Sequence, residues 1–131
     1  ANTHDQIYSL ARKFPNVNVY RNLNERQLID VMQKCNFAIA PASTILYELC
    51  SIKMPVLSGY FVDNQELIYK GFVDSNSIFK GGDFSSYSEK DFFNKINEII
   101  ETDNFTEMCN HQGTLISRGI RDNFINLLAQ I

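Results

Sequence analysis

Two stretches of this chain share one pattern: a short apolar run ends in small or polar residues and passes directly into an amphipathic run. In the first stretch, Phe37–Cys50, the residues Pro41–Thr44 separate the two runs. In the second, the apolar run Pro55–Val62 leads into Asp63–Gln65. Each stretch predicts a strand, a tight turn and a helix, and strands joined through helices form a parallel sheet.

The rest of the chain continues this alternation, with apolar residues at helical spacing between short runs typical of strands. The pattern predicts an α/β fold with a Rossmann-like parallel sheet flanked by helices. Asn24 with Gln27 predicts a capping box, and Ser88 is expected to cap a helix. The predicted helices cover Asp5–Phe14, Asn24–Cys35, Thr44–Ser51, Gln65–Phe72, Ser88–Ile100, Phe105–Ser117 and Gly119–Gln130, and the predicted strands cover Val17–Tyr20, Phe37–Ala40, Pro55–Tyr60 and Ser77–Phe79, before a turn at Gly81–Asp83.

The first predicted element is a helix, although doubly wound domains of this kind usually open with a strand. The order therefore predicts that residues 1–131 are one Rossmann-like domain, truncated on its N-terminal side, from a larger protein. A missing upstream strand would leave an edge of the sheet exposed. The exposed edge predicts that two copies of the chain could pair through it as a homodimer.

Composition disfavours two classes of partner. The formal net charge of −3 provides no basic surface for a nucleic acid. No apolar run approaches the roughly 20 residues that span a bilayer, so no membrane span is expected. The first residues are polar, which is unlike a secretory signal.

The three cysteines, Cys35, Cys50 and Cys109, are odd in number and far apart in the sequence. Cys35 and Cys50 fall at apolar positions of predicted helices, where a thiol packs as a small hydrophobic group. Without a CxxC pair or a histidine cluster, no metal site is expected. Buried, reduced thiols fit a reducing cytoplasm, which is the predicted location.

Ser43 and Thr44 are candidate ligand-binding residues because they open a predicted helix at the carboxyl end of a strand. Free N–H groups and the positive end of the helix dipole favour phosphate at that position. Serine is also a leading N-cap residue, so Ser43 has a purely structural interpretation. The two interpretations are compatible, and both stay open.

Glu48 follows one turn into the same predicted helix. A carboxylate there can accept paired hydrogen bonds from the two hydroxyls of a ribose when the site is shaped for them. The structural alternative is a solvated glutamate that the helix dipole stabilises.

Asn64 and Gln65 stand at the equivalent place after the second predicted strand. Their amides are suited to bind a sugar or a phosphate across a cleft. Asp63 with Glu66 also matches a capping box, which would give this segment a structural role instead.

No catalytic group can be assigned from the sequence. His4 and His111 are the only histidines, and each lies in a polar stretch with no acid or nucleophile at an indicative spacing. Both are expected to be surface residues. The chain contains neither a P-loop motif nor the glycine motif of dinucleotide-binding domains.

The segment Pro15–Gln65 resembles the C-terminal half of the UDP-sugar hydrolases of pseudaminic acid biosynthesis, and His111–Leu128 resembles the end of that family's sequences. The resemblance is weaker between Phe72 and Asn104. These hydrolases are similar to the glycosyltransferase that adds N-acetylglucosamine to the lipid-linked peptidoglycan precursor. Both have two Rossmann-like domains in the GT-B arrangement, with the nucleotide held mainly by the C-terminal domain.

The resemblance implies a role for each candidate residue. By position, Ala42, Ser43 and Thr44 match the turn that receives the diphosphate, Glu48 matches the glutamate that binds the ribose, and Asn64 and Gln65 match the pair that faces the nucleotide-sugar. No catalytic residue and no metal ligand carries over, because the family's catalytic groups, including a histidine, belong to its N-terminal domain.

The sequence departs from the family at two places in this half. Pro41-Ala42 stands where many relatives have two glycines, and a Cβ there crowds a closely bound phosphate. Ile116–Gly119 stands where the family has an Asp-Gly-x-Gly pattern, so only the last glycine is kept.

The implied function is UDP-sugar binding in a hydrolase or glycosyltransferase of surface polysaccharide or nonulosonic acid biosynthesis. UDP or a UDP-sugar would be the ligand, without a further cofactor, and the N-terminal domain of the same protein would be the partner. The domain alone would bind UDP weakly and catalyse nothing. The alternatives are a non-catalytic scaffold or regulatory module with a decayed nucleotide site, and an unrelated flavodoxin-like domain.

Overall fold

The computed structural model of the protein describes residues 5–116. The chain divides into two compact units, Ala1–Lys34 and Cys35–Ile131. The predicted helix Gly119–Gln130 and most of the family-like tail lie outside the described residues.

The described part of the first unit contains two helices, α1 (Asp5–Lys13) and α2 (Glu25–Met32). The predicted capping box is confirmed, since the Asn24 side chain accepts from Gln27 N–H at 2.9 Å and Gln27 Oε1 accepts from Asn24 N–H at 3.0 Å. Reciprocal capping of this kind satisfies two backbone donors and fixes where the helix begins.

Two predictions for this region are wrong. Val17–Tyr20 is not a strand, because none of the three described strands pairs with it and an alternating run becomes a strand only through a partner's hydrogen bonds. Helix α2 ends at Met32, which leaves Cys35 beyond the helix. The thiol of Cys35 is therefore exposed rather than packed as a hydrophobic group.

Within the described residues, the second unit is an α/β fold with a three-stranded, fully parallel sheet, which confirms the predicted α/β class and parallel sheet. Each pair of neighbouring strands is joined through a helix, and the strand order is the chain order. In sequence, its elements are β1 (Ala38–Pro41), α3 (Ile45–Ser51), β2 (Val56–Tyr60), α4 (Asp63–Asp74), β3 (Phe79–Asp83), a 3-10 turn (Phe84–Ser86), α5 (Glu89–Thr102) and α6 (Phe105–Leu115).

Strand β3 begins two residues later than predicted and includes the glycines that were expected to form a turn. Ser58 pairs with Lys80 but Gly59 pairs with Gly82, so Gly81 is an extra residue in the ladder. A Cβ on Gly81 would lie within 2.7 Å of Ser58 O and of the Phe84 ring. Glycine is therefore needed here for close packing, and the bulge keeps both glycines in the strand.

One hydrophobic cluster of this unit is rich in aromatic rings and includes residues of β2, the 3-10 turn and α5. Leu57, Phe84 and Ile99 form its buried centre, and Phe92 and Phe105 are among the rings packed against it. Ser88 caps α5 as predicted, because its hydroxyl accepts from Asp91 N–H at 3.2 Å and Asp91 Oδ2 accepts from Ser88 N–H at 2.8 Å.

Helix α6 closes the amino end of the sheet through one buried amide. Gln112 Nε2 donates to Met54 O at 2.8 Å and to Ser77 O at 3.0 Å, which joins the segments leading into β2 and β3. Cys50 is buried nearby, as predicted, with its thiol 4.0 Å from Ser77 O. Burial raises the pKa of Cys50 to about 12, and the Cys109 thiol adds to the increase. None of the helices among residues 5–116 is long and apolar enough to cross a membrane.

Candidate functional site

The carboxyl ends of β1 and β2 lie side by side and define the candidate site. Pro41 is in register with Gly59, and Ala42 N–H donates to Gly59 O at 2.8 Å beyond the end of β1. Because the strands are parallel, the segments that follow them emerge at the same edge of the sheet. Residues 42–44 and 63–65 therefore begin α3 and α4 at the edge where open α/β sheets bind ligands.

The turn that precedes α3 is built differently from its prediction. Thr44, not Ser43, is the N-cap residue, and the Thr44 side chain makes no capping hydrogen bond. The backbone already has helical dihedral angles at Thr44 (φ −54°, ψ −28°), and the Ser43 carbonyl accepts from Leu46 N–H at 3.0 Å. The predicted Ser43 cap is therefore wrong, and the Thr44 hydroxyl accepts no hydrogen bond from the first-turn N–H groups of α3.

Ala42 is completely buried, Ser43 is partly buried and Thr44 is exposed. The Ala42 methyl group therefore belongs to the packed interior, and the two hydroxyl residues face outward from it. Of the first N–H groups of α3, those of Leu46 and Tyr47 donate to the carbonyls of Ser43 and Thr44, at 3.0 and 3.1 Å.

Glu48 lies in the first turn of α3 and is exposed. Its backbone carbonyl accepts from the Ser51 hydroxyl at 2.7 Å. The carboxylate is on the same helix as the turn at residues 42–44, one helical turn further along the chain.

The segment at the end of β2 does not form the predicted capping box. Helix α4 begins at Asp63 itself, and its N-cap residue is Val62, which has no side chain able to cap. Gln65 Oε1 instead accepts from Phe61 N–H at 2.9 Å, so this amide supports the turn after β2. Asn64 is exposed in the first turn of α4. One of the two lone pairs of Gln65 Oε1 is therefore engaged within the protein.

The electrostatic character of this edge is acidic. Lys53 is the only Lys or Arg between residues 41 and 66, and it precedes β2 at the other end of the sheet. Lys70, one turn further along α4, is paired with Glu66 at 3.0 Å, and that pairing raises its pKa. An anionic ligand here depends on N–H groups and helix dipoles rather than on a neutralising side chain.

Two cavities of the second unit lie elsewhere. One, of about 490 Å³, is an open groove at the start of α5, lined by Ser86, Tyr87, Asp91, Asn94, Lys95 and Glu98. The other, of about 280 Å³, lies at the amino end of β3 and is lined by Asn76, Ile78, Phe79, Asn104, Glu107, Met108 and His111. None of the six residues predicted to bind the nucleotide-sugar lines either cavity.

The second cavity contains a residue whose environment the sequence did not indicate. His111 is partly buried, and its Nδ1 lies 3.2 Å from the carbonyl oxygen of Asn76. The contact joins residues 35 positions apart in the chain, so only the fold reveals it. In the sequence, only the spacing of Asn104, Glu107 and His111 indicates that these residues lie on one face of a helix.

The fold and this edge define the class of the second unit: an α/β unit with an open parallel sheet and helix-opening turns at its carboxyl edge. Comparison of the chain with protein-family models, curated proteins and solved structures gives no match.

Proposed function

We propose that the chain is the UDP-sugar-binding part of a GT-B-like hydrolase or glycosyltransferase that serves surface polysaccharide or nonulosonic acid biosynthesis in the cytoplasm. One observation carries the proposal: the turns at residues 42–44 and 63–65 open helices at adjacent carboxyl ends of a parallel sheet. Those are the two places that the resemblance assigns to the diphosphate and to the sugar.

In this proposal the main-chain N–H groups of Ser43 and Thr44 bind the diphosphate. Glu48 accepts hydrogen bonds from the ribose hydroxyls, and the Asn64 and Gln65 amides bind the sugar. Stabilising the diphosphate on N–H groups also stabilises UDP as a leaving group while its charge develops. The chain supplies binding and orientation, and the proposed N-terminal domain supplies the catalytic groups.

The acidic edge explains why we expect weak binding by this chain alone. A diphosphate that binds near Glu48 and Asp63 gains N–H hydrogen bonds but meets like charge. We therefore expect affinity in the millimolar range for UDP, which corresponds to only about 4 kcal/mol of binding free energy.

The test is a calorimetric titration of the chain with UDP, with ADP as the nucleotide control. A heat of binding with UDP that is absent or weaker with ADP supports the proposal. Glu48→Ala should then weaken UDP binding by about 1.5–3 kcal/mol, the range for a hydrogen bond to a charged group. Glu101→Ala, which removes an exposed glutamate of α5, is the matched control and should leave the affinity unchanged.

Unchanged UDP affinity in Glu48→Ala would contradict the ribose assignment. Equal affinity for ADP and UDP would contradict selectivity for uridine but would still be consistent with a site that binds the diphosphate. Repeating the titration with the proposed N-terminal domain present separates a site completed by that domain from a site that binds nothing.

A second candidate is a non-catalytic scaffold, and two observations favour it. The Ala42 methyl group is buried where many relatives have a glycine, and Gln65 is engaged by Phe61 N–H. In both cases a residue that the resemblance assigns to the ligand packs or forms a hydrogen bond within the protein instead. Absence of uridine binding with and without the N-terminal domain would support this alternative.

A further inference from the structure

Three apolar side chains of the first unit form an exposed stripe on helix α1, which has no buried residue. Ile7, Leu10 and Phe14 are 40%, 51% and 51% exposed. Phe14 follows the helix directly, and its N–H donates to Leu10 O at 3.2 Å, so the helical pattern continues through it. Side chains three, four and seven residues apart lie on one face of a helix, so these three form one apolar stripe.

The other faces of α1 are in contact with the protein or with water. Tyr8 and Ala11 are the partly buried residues of this helix, and they lie to one side of the apolar stripe. Arg12 and Lys13 are exposed in its last turn, where positive charge also interacts favourably with the helix dipole. A helix with an exposed apolar stripe and a basic polar face has the pattern of helices that lie in a membrane interface.

The charge of the described part of the first unit differs in sign from that of the chain. Residues 5–34 contain five Lys or Arg and three Asp or Glu, a net charge of +2, whereas the whole chain has a net charge of −3. An anionic surface therefore attracts this part of the chain although it repels the net charge of the whole. The apolar stripe thus belongs to the basic part of an acidic protein.

The size of the stripe favours a lipid surface over a protein partner. Helix α1 has 9 residues, which makes it about 14 Å long. Three half-exposed side chains on so short a helix present much less than the about 800 Å² that each partner buries in a stable protein interface. A lipid surface requires no minimum area, because binding increases with each apolar group inserted and with each basic residue near anionic lipids.

We propose that α1 is a peripheral membrane contact that inserts Ile7, Leu10 and Phe14 into the surface of an anionic lipid bilayer. Arg12 and Lys13 then remain at the negatively charged headgroups. Interfacial helices bury their apolar face only about 5–10 Å deep, which suits one stripe on a single short helix. The contact is weak and reversible because the stripe is short. It does not depend on nucleotide binding, since the candidate nucleotide residues all belong to the second unit.

The experiment is co-sedimentation of the full chain with vesicles of equal parts phosphatidylcholine and phosphatidylglycerol, compared with vesicles of phosphatidylcholine alone. We expect stronger binding to the anionic vesicles, and weaker binding as salt screens the charges. Leu10→Gln should lower the partition coefficient roughly 3- to 10-fold, because half of this side chain is already covered. Arg12→Gln and Lys13→Gln should each lower it about fivefold on anionic vesicles.

The matched controls change equally exposed residues outside α1. Leu67→Gln removes an apolar side chain of α4 that is 80% exposed, and Lys90→Gln removes an exposed cation of α5. Both should bind vesicles as the wild type does. Glutamine keeps a high helix propensity, and circular dichroism verifies that each variant retains its helices.

Insertion into lipid has a spectroscopic signature, because the chain contains no tryptophan. Phe14→Trp introduces a single fluorophore into the stripe. Its emission should move to shorter wavelength when anionic vesicles are added, and lipids with brominated acyl chains should quench it. Leu67→Trp is the control and should show neither change.

Three results would overturn the proposal. One is absence of wild-type binding to the anionic vesicles at low salt. Another is equal vesicle binding by the wild type and by folded Leu10→Gln. The third is a stripe variant that changes self-association in sedimentation velocity while vesicle binding stays as in the wild type, which would assign the stripe to a second copy of the chain.

Discussion

At the scale of single residues, Gly59 shows how tightly the middle of the sheet is packed. A Cβ at this position would lie 2.7 Å from Phe84 Cδ1 and would also collide with Gly82 O. Both neighbours are fixed, one by the core and the other by the ladder. The residue therefore sets how closely β2 approaches the bulged part of β3.

Gly59→Ala should lower the free energy of unfolding by about 1–3 kcal/mol, the usual cost of overpacking, measured by urea denaturation. Gly71→Ala is the matched control, because Gly71 is exposed within α4 and a Cβ there meets nothing within 4 Å. In a helix interior that change should stabilise by roughly 0.5–1 kcal/mol. Equal effects at the two glycines would contradict the packing argument.

Cys50 gives a prediction about pH. In the unfolded chain its thiol loses the proton near its ordinary pKa of 9.0, whereas burial holds the pKa at about 12 in the folded chain. Between these values the unfolded state binds fewer protons, so the free energy of unfolding falls as pH rises. The free energy of unfolding, measured by denaturation near neutral pH and at about pH 10, should decrease less for Cys50→Ala than for the wild type.

The matched control for this prediction is Cys35→Ala, because Cys35 is exposed. That variant should follow the wild-type pH dependence. If Cys50→Ala instead keeps the full wild-type decrease, titration of the Cys50 thiol does not contribute to it.

At the scale of elements, the helices differ in how their first turns are satisfied. Ser88 caps α5 through a reciprocal bond with Asp91, whereas the Thr44 hydroxyl leaves the first turn of α3 uncapped. The two helix starts therefore differ in whether a side chain stabilises them, and backbone carbonyls alone bind the first N–H groups of α3, Leu46 N–H to Ser43 O and Tyr47 N–H to Thr44 O.

Ser88→Ala should lower the thermodynamic stability by about 1 kcal/mol, the typical value of an N-cap. Thr44→Ala should change it by less than about 0.5 kcal/mol, as for a surface substitution that removes no cap. Thermal denaturation of both variants provides the measurement. A Thr44→Ala cost as large as that of Ser88→Ala would show that the Thr44 hydroxyl caps α3 in solution.

The sequence predicts the elements that local chemistry determines. Asn24 and Ser88 carry their own capping partners three residues away, so both helix starts are confirmed. The apolar runs that become β1 and β2 are also placed to within one residue.

The errors arise where distant residues decide the outcome. Val17–Tyr20 has the composition of a strand but no strand partner among the described residues, and the bulge at Gly81 depends on the Phe84 ring. The site shows the same division: the sheet topology brings residues 42–44 and 63–65 to one edge as predicted. The sequence could not show that Gln65 bonds to Phe61 N–H or that His111 contacts Asn76.

At the scale of the whole molecule, β1 is at the edge of the described sheet, which bears on the predicted homodimer. Ala38 and Ala42 donate their N–H groups toward β2, so the backbone of Ile39 and Pro41 faces the other side. Ile39 is 47% exposed, so β1 also carries an apolar side chain that the described residues leave uncovered. Pro41 lacks an N–H, and proline on an edge strand opposes edge-to-edge association.

Pro41→Ala should therefore increase self-association, because it restores a backbone donor on this edge. Sedimentation velocity over a range of protein concentrations measures the effect. Pro55→Ala, a proline outside the strands, is the control and should leave the concentration dependence unchanged. If Pro41→Ala and the wild type show the same concentration dependence, Pro41 does not prevent self-association through this edge.

The Gln112 amide also has a consequence for biosynthesis. It bonds to carbonyls that precede it by 58 and 35 residues, so both contacts must wait until α6 has been synthesised. During translation the parallel strands can meet before this amide is present, and the carbonyls of Met54 and Ser77 then lack its donor. The ribosome must deliver nearly all of the described chain before the amino end of the sheet is closed, so folding of this unit finishes late in its own synthesis.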